Sequence, residues 1–276
     1  MAVSTGTYAN RPSSHSAGDI YLTTDSFWDY LVSNGSKWRH LYSGFECEPP
    51  INSEFSWVNQ GGASIITANG GVFMRAPVSS TGNLRLRAKT APATPYTLTA
   101  AILPAFPGIE GSISDTKNGF GCGIGFRESG TGKLSMIGFR FGGIGVGALF
   151  YGLLDVMQFS SPTATGTSAL NAYAETLVSS PITWLKVTNT GTTLTYFFSG
   201  DGQNFQQVYT EDVDAYFTTA PDELFFTLSV FCATHDAGVT LIHWSLPNPA
   251  VTMRTFGMFG VLPSLKPTGN YFGAFG

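Results

Sequence analysis

The sequence predicts an all-β protein of antiparallel strands, and three observations carry that expectation. Apolar residues recur with a period of two in many short runs, Asn-Gly, Asp-Gly, Gly and Pro punctuate the chain between them, and no stretch holds a convincing helical period. The clearest run is 181–209, PITWLKVTNTGTTLTYFFSGDGQNFQQVY. Ile182, Trp184 and Lys186 fall on one face, and Thr183, Leu185 and Val187 on the other. Asn189-Thr190-Gly191 turns the chain. Leu194, Tyr196 and Phe198 then alternate with Thr193, Thr195 and Phe197. Ser199 to Asn204 supplies Asp-Gly turn chemistry before a return strand that starts near Phe205, Val208 and Tyr209. The run is a β-meander with one side fit for a core.

In chain order, residues 1–18 are small, polar and turn-rich and read as an extended arm. Residues 19–44 read as a β-hairpin attachment module. Ile20 and Leu22 alternate with Tyr21, while Trp28, Tyr30 and Val32 share a face. Asn34-Gly35 marks a hairpin, and Trp38, His40 and Tyr42 continue beyond it. Hairpins of this size bury too little to stand alone, so the module is expected to pack on the next domain or on copies of itself.

Residues 45–249 are a succession of short strands. Ser64–Thr67 and Gly71–Ala76 flank Asn69-Gly70, and Leu84 and Leu86 alternate with Arg85 and Arg87. A longer strand starts at Tyr96, and late ones cover Leu224–Cys232 and Val239–Leu246. Ser168–Val178 is the nearest approach to a helical pattern. Short strands with this punctuation point to a sandwich or barrel.

Two glycine features stand out. In Gly119–Phe126, GFGCGIGF, glycines occupy every other position, so one strand face is bare backbone and the other is apolar; Gly142, Gly143, Gly145 and Gly147 form a second bare patch. Interior glycine weakens a strand by about 0.5–1 kcal/mol relative to Ala, so something is expected to approach closely: an aromatic side chain of the same fold, a neighbouring subunit or a ligand. The tail, 250–276, repeats an aromatic-glycine theme through Phe256, Phe259, Tyr271, Phe272 and Phe275. It has no period for a core of its own, yet it is too aromatic for a solvated tail. It is therefore expected to lie on a partner chain, with a fold-back on its own domain as the alternative.

Composition excludes several classes. Charged residues make up 12% and the net charge is −4. No Lys/Arg cluster tracks a phosphate backbone, so nucleic-acid binding is not expected. The first 19 residues lack the basic and apolar regions of a signal peptide. The most apolar run, Phe141–Leu154, is too short and glycine-broken for membrane insertion. Cys47, Cys122 and Cys232 show no zinc spacing, and Cys122 and Cys232 read as buried small hydrophobes.

No catalytic constellation emerges, and no cofactor is expected. Glu46 and Glu48 share a strand face but run directly into Pro49-Pro50, a poor setting for a glycosidase pair. The four histidines are scattered, and no nucleophile elbow or phosphate loop is present. Asp115 with Asn118, and Asp201 with Asn204, offer oxygens that suit either calcium or Asx turns. Of these, Asp201 and Asn204 are the candidate calcium pair. Trp28, Tyr30 and Trp38 are candidate glycan-stacking residues, with a hairpin mini-core or oligomer contact as the competing role.

Two stretches carry a resemblance. WLKVTNTGTTLTYFFSGDGQNF, Trp184–Phe205, resembles the Trp…Ser-x-Asp-Gly-x-x-Phe signature of concanavalin A-like (laminin-G-like) jelly rolls, domains that recur in bacteriophage virion proteins. AGDIYLTTDSFWDYLVSNGSKWRHL resembles the hairpin module of phage tail-fibre and tail-associated proteins. The resemblance implies a jelly-roll sandwich in a non-enzymatic virion structural protein: a decoration, fibre or adhesion protein. It further implies other virion proteins as partners, a homo-oligomer such as a trimer, and a host-surface glycan as candidate ligand. A tail-associated polysaccharide-degrading glycosidase and a free lectin are the alternatives.

Overall fold

The computed structural model describes residues 3–6, 12, 14, 16–17, 19–23, 30–33, 38–42, 45–68, 71–79, 81–105, 119–142, 151–169, 183–231 and 236–246. The first strands are short. β1 (Val3–Gly6), β2 (Ile20–Thr23), β3 (Tyr30–Ser33), β4 (Trp38–Tyr42) and β5 (Phe45–Cys47) form a five-stranded sheet in that order. β1 runs parallel to β2, and the other pairs are antiparallel. The sheet is thus wider than the sequence suggests. Part of the expected arm supplies β1, and the first residues of the expected sandwich supply β5. A parallel pairing needs a long crossover and leaves no local turn signal, which is why a four-residue strand inside 1–18 is not legible.

The strands that follow are β6 (Ser56–Val58), β7 (Ser64–Ala68), β8 (Gly71–Ala76), β9 (Leu84–Thr90), β10 (Tyr96–Ala105), β11 (Gly119–Arg127), β12 (Leu134–Gly142), β13 (Tyr151–Phe159), β14 (Thr167–Ser168), β15 (Thr183–Asn189), β16 (Thr193–Ser199) and β17 (Gln206–Asp212). One helical turn, α1 (Val213–Tyr216), precedes β18 (Glu223–Phe231) and β19 (Ala237–Ser245). A front sheet of seven strands, order β17-β16-β15-β10-β19-β8-β7, faces a back sheet of seven, order β14-β13-β12-β11-β18-β9-β6. Chain segments pass repeatedly between the two sheets, and the result is an antiparallel jelly-roll sandwich of the concanavalin A-like type.

Period-two patterning fills the space between the sheets. From the front come Leu98 opposite Val187, Ala100 opposite Leu185 and Trp244, and Tyr196, all buried. From the back come Cys122, Ile124, Phe126, Leu224, Phe226 and Leu228. Burial of each large apolar side chain contributes about 1.5–3 kcal/mol. The Phe126 ring meets Tyr196 edge-on at 5.7 Å and Tyr96 at 6.3 Å, which ties the two sheets together.

The bare glycine face has a different cause from those anticipated. At Gly123 and Gly125 the close approach is the backbone of the neighbouring strand β12. A Cβ at 123 would run into the Ile137 carbonyl and lie 2.7 Å from Gly138 Cα, and one at 125 would lie 2.7 Å from Met136 Cα. The Met136 methyl also closes over Gly123. Outside this sheet sits a second apolar layer of Leu84, Leu86, Ala88, Leu134, Met136, Phe159 and Phe225. The segment after β13 lies against it, with Gly166 on the Phe159 ring and the Pro162 carbonyl accepting from Leu84 N–H at 2.9 Å. Gly142 ends β12 opposite Gly119, whereas Gly143, Gly145 and Gly147 lie outside the described residues.

Candidate functional site

Alternation along the front sheet decides which side chains leave the core. On its outward face, Thr97 of β10, Thr188 of β15, Thr195 of β16 and Thr210 of β17 occupy one row across four strands. The Thr97 and Thr188 hydroxyls are 3.2 Å apart, as are those of Thr195 and Thr210. The next row reads Thr99, Lys186, Phe197 and Gln207. Lys186 Nζ lies 4.2 Å from the centroid of Phe197 and 4.3 Å from that of Phe205. Burial pulls its pKa below the usual lysine value. Among the described residues, no ion pair or hydrogen bond takes up this ammonium.

The third row brings Trp184 beside Ser199 and Ala101. The turn after β16 folds back over the buried indole. Ser199 Oγ donates to Asp201 Oδ1 at 2.8 Å and accepts from Gly202 N–H at 2.9 Å. Asp201 Oδ1 also accepts from Gln203 N–H (2.9 Å) and Asn204 N–H (2.8 Å), and Oδ2 accepts from Asn204 Nδ2 at 2.7 Å. The two backbone N–H groups, Asn204 first, hold the Asp201 carboxyl far below the ordinary carboxylate range. The candidate calcium pair is therefore bonded to itself in an Asx turn, and among the described residues no group of three or more His, Cys, Asp or Glu is placed to hold a metal.

Beside this turn the small sheet joins the sandwich. Cys47 is fully buried with Ala101, Trp184 and Ile242, and Phe205 packs on that cluster. The Glu48 peptide is pinned on both sides: its carbonyl accepts from Trp244 N–H at 2.9 Å, and its N–H donates to His243 Nδ1 at 2.8 Å. The His243 ring packs against Trp184 with centroids 5.0 Å apart and planes tilted by 54°. Glu48 and His243 thus serve the joint.

A recess of about 500 Å³ opens at the sandwich end between Gly191-Thr192, Asp212–Asp214 and Phe217–Ala220. Its rim is fixed by Glu128, which accepts from Thr131 Oγ1 (2.7 Å), Thr218 N–H (3.1 Å), and Thr219 N–H and Oγ1 (both 2.8 Å). Burial works to raise the Glu128 pKa, but these hydrogen bonds outweigh it and bring it down to about 2. A second carboxylate, Glu211, bridges the sheets. It accepts from Ser135 Oγ and Tyr196 OH at 3.2 Å each and from Gln158 Nε2 at 2.7 Å. Its burial raises its pKa in spite of those bonds.

Of the expected glycan-stacking residues, Tyr30 and Trp38 are placed in β3 and β4 of the small sheet, and Trp28 lies outside the described residues. Phe256, Phe259, Tyr271, Phe272 and Phe275 also lie outside them, as do Asp115, Asn118, Cys232 and His235. The Lys186–Phe197–Phe205 cluster is one that sequence reasoning misses. Its signal is present nonetheless: a hairpin closed by Asn189–Gly191 sets Lys186 opposite Phe197, and the next turn returns Phe205 to the same face.

No protein-family model matches the sequence, and no curated protein matches it. Solved structures resemble the fold. A functionally unknown protein from Saccharomyces cerevisiae aligns over 71% of this chain and 96% of its own, with TM-score 0.48 and 16% identity. The CBM2 module of the evolved Dit of Lactobacillus casei BL23 phage J-1 aligns over 64% and 78%, with TM-score 0.41 and 8% identity. Peanut lectin aligns over 73% and 94%, with TM-score 0.39 and 13% identity. These are likenesses of strand arrangement alone.

Proposed function

We propose that this chain is a non-enzymatic bacteriophage virion protein whose sandwich binds glycan on the outward face of its front sheet, while its two ends make assembly contacts. The observation that carries the glycan part is the composition of that face: hydroxyls in a row, aromatic rings, and one cation. The non-enzymatic part is supported by the same positions. Of the outward-facing residues described on β10, β15, β16, β17 and β19, Asp212 alone is a carboxylate, whereas glycoside hydrolysis needs two facing a sugar. The virion part rests on the resemblance of Trp184–Phe205 and of the 19–44 module to phage proteins.

Affinity electrophoresis through gels containing bacterial surface polysaccharides tests the reading, together with immunogold labelling of particles. Retardation without release of reducing ends, and label on particles, are the expected results. Release of reducing ends would place the chain among tail-associated glycosidases, and retardation without labelled particles would make it a free lectin.

A further inference from the structure

We infer that the Lys186 cluster selects acidic polysaccharides, glycans bearing carboxylate or sulfate groups, over neutral ones. This rests on the glycan reading above and adds the chemical class of the ligand.

The argument starts from Lys186 itself. A lysine usually keeps its ammonium in water and buries only its stem. Here the ammonium lies between two aromatic rings, at 4.2 and 4.3 Å, on a half-buried site. The ring faces attract a cation and offset part of the lost hydration, but a ring offers no oxygen to the N–H donors. Among the described residues no carboxylate or carbonyl takes them. The group is thus held in place with hydrogen-bonding capacity to spare, and an anion is the ligand that uses it fully. The depression of its pKa by burial points the same way, since an arriving anion would reverse it.

The surroundings select a polyhydroxylated anion. Next to Lys186 run the hydroxyls of Thr97, Thr188, Thr195 and Thr210, with the Gln207 amide in the Lys186 row. Neighbouring strands are about 4.8 Å apart, so the row spreads four hydroxyls, bonded in two pairs, over about 14 Å, a surface for an extended sugar chain rather than for an isolated ion. The net charge of −4 disfavours a polyanion at long range, but screening over about 8 Å at physiological salt leaves the outcome to the local cation.

The test uses the full chain and four polymers: polygalacturonate, its carboxyl-reduced form, dextran sulfate and dextran. Lys186→Gln, Lys186→Arg and Phe205→Leu are compared with the wild type by biolayer interferometry, with circular dichroism to verify folding. The expected result is binding of polygalacturonate, dextran sulfate or both, weakened by salt and reduced about tenfold to a hundredfold in Lys186→Gln, as for loss of one charge-assisted contact. Lys186→Arg retains most of it, Phe205→Leu binds less tightly, and the neutral polymers bind no better than Lys186→Gln binds the acidic ones. Binding of carboxylated but not sulfated polymer, or the reverse, identifies the anion. Equal binding of neutral and acidic polymers, or a folded Lys186→Gln that binds like wild type, overturns the inference and leaves the glycan reading intact. No binding to any polysaccharide, these or bacterial, overturns both.

Discussion

Gly202 rests on the indole of Trp184 so closely that a Cβ there would lie 2.7 Å from the ring carbon Cε2, and its φ of +72° is one that side-chain-bearing residues rarely adopt. Two costs therefore coincide at one position. Left-handed backbone costs a residue with a side chain about 1–2 kcal/mol, and overpacking adds about 1–3 kcal/mol. Gly202→Ala should lower stability by about 2–5 kcal/mol, read as a shift of the urea midpoint. The loss should also loosen Phe205 and so reach Lys186. A midpoint within error of wild type would break the link between the turn and the tryptophan.

The same pair shows what the sequence can reveal. Alternation alone makes both faces of 183–199 legible in the sequence, because a period of two is imposed by backbone geometry. The inward set, Leu185, Val187, Leu194 and Tyr196, is buried as patterned. The Trp…Ser-x-Asp-Gly spacing is recognisable, but its cause is not: the contact joins a strand residue, Trp184, to a glycine in the turn after the next strand, Gly202. Likewise, bare glycines at 123 and 125 announce a close approach but not its source, which is the strand next door. Tyr30 and Trp38 stand out as aromatics near a hairpin, while Lys186, a lone charge in an apolar strand, reads as ordinary alternation. Sequence shows periodicity; it does not show which long-range neighbours complete a site.

Glu128 makes a pH prediction. Its folded pKa of about 2 lies below the ordinary glutamate value of 4.5. A depressed carboxyl stabilises the fold above the unfolded pKa, and that contribution fades as pH falls from about 4.5 through about 2. Glu128→Gln should therefore be less stable than wild type at pH 7, and the gap should narrow in acid. Chemical denaturation at pH 7, 4 and 2.5 checks it, and a gap that does not vary with pH would contradict the assignment.

Glu211 predicts the opposite slope. Burial raises its folded pKa above the ordinary value, so the folded state binds the proton more tightly than the unfolded chain. Stability from this group is greatest below the unfolded pKa and is lost as pH rises through the folded one. Relative to wild type, Glu211→Gln should gain stability as pH climbs out of the acid range, whatever the offset from its altered bonds to Ser135, Gln158 and Tyr196. Paired denaturation curves at pH 4 and 8 measure this. A difference that moves in wild type's favour between pH 4 and pH 8 would show that the hydrogen bonds to the carboxylate outweigh its burial.

The β11–β12 pair yields the last prediction. Gly123 faces Gly138 across the strands, and each would drive a Cβ into the other's backbone: at 123 toward the Ile137 carbonyl, at 138 to within 2.8 Å of Gly123 Cα. Backbone cannot step aside as a flexible side chain can, so relief requires the strands to separate and their hydrogen bonds to lengthen. These strands also carry Cys122, Ile124, Ile137 and Phe139, all buried, so separation would disturb the core as well. Gly123→Ala and Gly138→Ala should each cost about 3 kcal/mol or more, at the upper end for overpacking. The double variant should cost less than the sum, because strands parted by one Cβ have already made room for the other. Gly130, with nothing near its missing Cβ, is the control, and Gly130→Ala should be nearly neutral. Thermal and urea midpoints for the four variants decide the matter. Additive losses at 123 and 138, or losses no larger than at 130, would mean that the close approach of these two strands does not set the need for glycine.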